Sequence, residues 1–142
     1  MIALLLSCAP YPQEGPYEVV SSVGGDLDSC MSGGVWYTSG WSRIAVSILE
    51  PGLSFEFQVG NDDGSGTFPC SLDGDTFHCE LVVDDGLDID EVFVDGVWST
   101  GSHAELVSTM VRTCDGAEER CREEAPSRNC GAASRRSIEP KE

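Results

Sequence analysis

Leu53, Phe55, Phe57 and Val59 alternate strictly with Ser54, Glu56 and Gln58. Successive side chains of a strand point to opposite faces, so this period of two predicts a strand with one buried and one wet face. Trp41–Leu49 repeats the pattern, with Ile44, Val46 and Ile48 marking its buried side. Pro51-Gly52 between them reads as a turn. Further short strands are expected at 17–23, 67–70, 77–83, 91–99 and 105–114, separated by acidic and Gly-rich turns such as Asn61-Asp62-Asp63-Gly64. In 91–99, Val92, Val94 and Val97 predict a bulge at Gly96 that resets the register before Trp98. The fold class that follows is all-β: an antiparallel meander of about seven strands forming a small barrel or sandwich.

Three zones are expected. Residues 1–16 form a short apolar start and a Pro-rich tether, 17–114 the β-domain, and 115–142 an irregular polar tail, partly disordered and with little apolar content beyond Ile138. No apolar run is long enough to cross a membrane as a helix.

Seven cysteines stand at 8, 30, 70, 79, 114, 121 and 130. Cys70 and Cys79 flank Asp73-Gly74, a hairpin-turn dipeptide, and would meet across the hairpin. Cys30, Cys114, Cys121 and Cys130 would then tie the rest of the chain to the body in an order the sequence leaves open. A metal site in the tail is the rival reading, but its cysteines lack the short spacing of structural zinc knuckles.

Cys8 has a different setting. Leu5-Leu6-Ser7-Cys8 follows the apolar start and resembles the lipobox of small exported bacterial lipoproteins. The resemblance implies that Cys8 is lipidated, anchors the chain to the bacterial envelope, and begins the mature protein. Ala9 after the cysteine then implies sorting to the outer membrane. Removing Cys8 from the count leaves six thiols for disulfides in an exported domain. Pro10, Pro12 and Pro16 suit a tether. The Gly34-Val35-Trp36 run ahead of a meander is similar to the lipocalin pattern, which implies a lipocalin-like barrel. On that alternative the chain carries a small apolar ligand in a cavity lined by Phe55, Phe57 and Trp36.

The formal charge is −17. Residues 1–114 hold 18 acidic residues against Arg43 and Arg112, and so carry nearly all of it. Such a body repels nucleic acid and anionic lipid surfaces.

No catalytic set emerges, and no enzymatic activity or cofactor is expected. His78 is expected on an exposed strand face, and His103 in a turn. No Gly-x-Ser-x-Gly elbow, His-Glu-x-x-His or phosphate-binding loop is present. The paired carboxylates fall in turns. Asp84, Asp85, Asp88 and Asp90, with Glu91, form the stronger calcium candidate, and Asn61–Gly64 a second, although neither has the EF-hand spacing. Trp36, Tyr37, Trp41 and Trp98 are core aromatics or a binding face. The reading reached from sequence is therefore a lipid-anchored extracytoplasmic structural or interaction module. Its partners would be the membrane, through Cys8, and an envelope or extracellular protein.

Overall fold

A computed structural model of the chain describes residues 12–24, 41–62, 64–84, 88–114 and 130–141. Eight strands run in chain order: β1 (Gly15–Gly24), β2 (Arg43–Glu50), β3 (Ser54–Asn61), β4 (Gly64–Asp73), β5 (Thr76–Asp84), β6 (Asp88–Ser99), β7 (His103–Cys114) and β8 (Cys130–Pro140). Each pairs antiparallel with the next, and β8 pairs with β1, so the sheet closes into a barrel. The choice between barrel and sandwich is thereby resolved.

The tight hairpins follow the local chemistry. At 50–53, Leu53 N–H donates to the Glu50 carbonyl at 2.9 Å, with Pro51 and Gly52 at the centre. Gly52 has φ +78°, the left-handed conformation that a type II turn requires after proline. At 73–76 the central residues are Gly74 and Asp75, and Gly74 has φ +64°. Cys70 and Cys79 are then directly opposite and joined by a disulfide, as the hairpin reading required. Both side chains lie inside the barrel.

Closing so short a loop removes chain entropy from the unfolded state. Replacing both cysteines by Ala is expected to cost about 2–3 kcal/mol, read as a lower denaturant midpoint with an intact far-ultraviolet spectrum. Cys114, at the end of β7, is also disulfide-bonded. Cys8, Cys30 and Cys121 lie outside the described residues, as does the side chain of Cys130, and so do the lipidation at Cys8 and the Gly34–Tyr37 aromatics.

Inward positions recur at every second residue. Ile44 and Val46, Phe55, Phe57 and Val59, Phe77 and Cys79, Val92 and Val94, and Leu106 and Met110 are all buried. Phe55 meets Phe57, Phe77 and Trp98 edge-on at centroid distances of 5.0, 5.4 and 5.6 Å. An eight-stranded barrel is just wide enough for such side chains to fill. Tyr17 packs on Trp98 and seals one end. Its hydroxyl donates to the Gln13 carbonyl at 2.7 Å and accepts the Gln13 N–H at 2.9 Å.

Two expectations need correction. The tail from residue 115 is not irregular throughout. Residues 130–140 form β8, which closes the barrel, so the domain boundary at 114 is wrong. Ser134, Arg136 and Ile138 take the inward positions of β8, and two polar residues among three erase the apolar period. The predicted bulge at Gly96 is also absent. Pairing runs without a shift through Phe77↔Gly96 and Gly96↔Leu106. Gly96 itself occupies the inward slot between Val94 and Trp98. A Cβ there would run into the Phe77 ring and come within 2.6 Å of the Glu105 carbonyl oxygen. The Phe77 ring thus fills the space that the glycine vacates. Shifts in register occur instead in the β1–β8 pairing, where Val20 is passed over between Val19 and Ser21, and in the β2–β3 pairing between Ile48 and Glu50.

Candidate functional site

An antiparallel meander sends alternate connections to opposite ends of the barrel. The hairpins after β2, β4 and β6 share the Tyr17 end, where Lys141 N–H donates to the Pro16 carbonyl at 2.9 Å. The connections 25–42 and 115–129 leave from the other end, as do the turns after β3 and β5. The interior beneath that end, the mouth layer, is polar and buried.

Asp90, Arg112, Ser108, Ser134 and Arg136 all take inward positions there. Arg112 grips Asp90 through two bonds, Nε to Oδ1 at 2.7 Å and Nη2 to Oδ2 at 2.8 Å. Bidentate pairing of this kind satisfies a buried carboxylate. Arg136 donates from Nη1 to the Ser108 hydroxyl at 2.9 Å, and Ser108 and Ser134 share a hydrogen bond at 2.8 Å. The Arg136 guanidinium sits 4.9 Å above the Trp41 ring, within cation–π range. Burial brings its pKa down to about 10, so it stays cationic at neutral pH. Among the described residues, the buried indole N–H groups of Trp41 and Trp98 have no hydrogen-bond partner. The described charges and hydroxyls of this layer pair with one another.

This geometry weakens the calcium reading. Asp90 points into the barrel, and both its oxygens are engaged by Arg112. Asp84 is exposed at the end of β5. Asp85 and the side chain of Asp88 lie outside the described residues. In the second candidate, Asn61 is the buried last residue of β3, and its carbonyl accepts from Arg43 at 2.7 Å. Among the described residues, no group of three or more His, Cys, Asp or Glu could hold a metal ion.

The histidines fall on the outer wall. His78 on β5 lies between two carboxylates, Asp95 on β6 at 2.5 Å from Nδ1 and Glu80 on its own strand at 2.8 Å from Nε2. Hydrogen bonding to Asp95, then to Glu80, raises its pKa above the ordinary 6.5. A raised histidine pKa stabilises the fold fully below 6.5, and that stabilisation is lost as pH climbs through the folded value. The imidazole is 43% exposed, so the effect on stability is small. Its titration is the better readout: by NMR, His78 should titrate with a midpoint above 6.5, and Asp95→Asn should lower it. His103 is the first residue of β7 rather than a turn residue, 54% exposed and 3.7 Å from Glu139. The two histidines stand on β5 and β7, on opposite sides of β6, and form no joint site.

Trp41 and Trp98 are buried core residues, as the core alternative held. Sequence reasoning missed the mouth layer, although part of it was visible. Asp90 continues the inward parity of Val92 and Val94, and Arg112 that of Leu106, Ser108 and Met110. No family model, curated protein or solved structure matches the chain.

Proposed function

We propose that the protein is a lipid-anchored extracytoplasmic interaction module that works through the outer surface of its barrel. The observation that carries this reading is the filled interior: Phe55 and Phe57 have no exposed surface and pack directly on each other, on Phe77 and on Trp98. A barrel packed in this way offers its wall, rather than its centre, to a partner. The Cys70–Cys79 bridge and the oxidised Cys114 suit an oxidising compartment outside the cytoplasm. Lipid at Cys8 and a proline-containing tether would hold such a barrel off an envelope membrane.

The test is the intact mass of the protein from its native host, alkylated without reduction. The expected result is a diacyl or triacyl adduct on a chain beginning at Cys8, with no alkylated thiol. An unprocessed chain with several alkylated cysteines would remove the anchor and the compartment together.

The carrier reading retains only the closed eight-stranded shape, because Phe55 and Phe57, the residues expected to line its cavity, are packed against each other instead. Solvent extraction of the native protein separates the two. A stoichiometric small apolar molecule in the extract would favour the carrier.

A further inference from the structure

The outer wall carries a trough of about 640 Å³ that crosses β4 to β8. It shares Val97 and Glu105 with a second depression of about 500 Å³ that reaches Val20 on β1. The floor is backbone at Gly96 with Val97 and Val107 beside it, and Val97 is 44% exposed. Asp73, Asp95 and Glu105 supply carboxylates to the lining, and His78 and Arg135 its cationic groups. Asp95 is already taken by His78. Among the described residues, neither Asp73 nor Glu105 has an ion-pair partner.

An apolar floor whose rim carries an excess of carboxylate over cationic groups suits one kind of side chain. Lysine and arginine lay an apolar stem on such a floor while the charged head stays at the rim. The charge balance narrows the occupant further. A second copy of a chain at −17 is repelled, and so is an anionic lipid surface. Strand addition is not available within the trough, because its β4 and β5 residues pair over Ser71–Asp73 and Thr76–His78, and β6 and β7 are paired on both sides. We propose that this trough docks an extended, Lys/Arg-bearing segment of a partner protein through its side chains. The proposal rests on the interaction-module reading and names the partner class of that surface.

Fluorescence anisotropy with fluorescein-labelled octalysine tests it, using the oxidised full chain. Octaglutamate is the opposite-charge probe and should not bind. The variants are Asp73→Asn/Glu105→Gln in the trough and Glu56→Gln/Glu91→Gln elsewhere on the outer wall. Both pairs change the net charge equally. The trough pair should weaken octalysine binding about fivefold or more, and the control pair less than about twofold. Arg135→Glu should tighten it. Circular dichroism checks that each variant is folded. Equal losses from the two pairs, or no octalysine binding by the native chain, would overturn the proposal. The mass measurement on the native protein is independent of this outcome: an unlipidated chain that still binds octalysine in the trough loses its tether and keeps its docking site.

Discussion

A chain ending at Asn129 should show no cooperative thermal transition, whereas one ending at Lys141 should melt cooperatively. The shorter chain lacks β8, which pairs with β7 over Ala104–Arg112 and with β1 over Tyr17–Gly24. Its loss exposes the edges of both neighbours and opens the core that Ile138 covers. A domain of this size has only about 5–15 kcal/mol of net stability. Losing a strand bonded on both sides exceeds that margin. Circular dichroism melts of the two chains are the measurement. A peptide spanning 130–142, added in excess to the shorter chain, should restore near-ultraviolet signal from the buried tryptophans. A shorter chain with an unchanged melting temperature would show that β8 is dispensable.

Asp90→Leu is expected to destabilise the barrel by about 3–5 kcal/mol, because it takes the bidentate carboxylate away from the largely buried Arg112 cation. Arg112→Leu alone should have a similar cost, for the mirror-image reason. The double variant Asp90→Leu/Arg112→Leu should be much less damaging than the sum of the two, since an apolar pair of similar volume leaves no charge uncompensated. Urea denaturation of the native protein and the three variants completes the cycle. Additive single and double effects would mean that the two side chains do not act as a pair.

These two expectations concern residues that sequence reasoning handled very differently. β2, β3 and β5 were legible because each has a buried face written in apolar residues at period two, as in Phe55-Glu56-Phe57, whereas β1 was read from its β-branched run and β4 only over 67–70. The Cys70–Cys79 bridge was legible because a two-residue turn fixes the register around it. β8 was not legible. Its inward Ser134 and Arg136 are satisfied by Ser108 and Trp41, which are distant in sequence, and no local pattern announces partners that tertiary structure supplies. Gly96 misled for a related reason. Counting apolar side chains placed Val97 inside, whereas the slot belongs to the glycine and is filled by a ring from the neighbouring strand. Asp90 read as a loop ligand because it stands among other acids, although its parity with Val92 and Val94 already turned it inward. The trough was invisible in sequence, because it is made by outward residues of several strands, which follow no shared local pattern.

The register of β8 against β1 has a kinetic consequence. The two strands are the first and last of the barrel, and Tyr17 is set against Pro140. Such a pairing has the longest loop to close, and folding slows as contacts become less local. A chain made or threaded across a membrane from its N-terminus cannot complete the barrel until β8, residues 130–140, emerges. Until then β1 and β7 both present unpaired edges, which are templates for aggregation. The interval between the emergence of β7 and that of β8 is therefore the vulnerable stage in the life of this molecule, and the stage at which a chaperone that shields strand edges would have most effect on its yield.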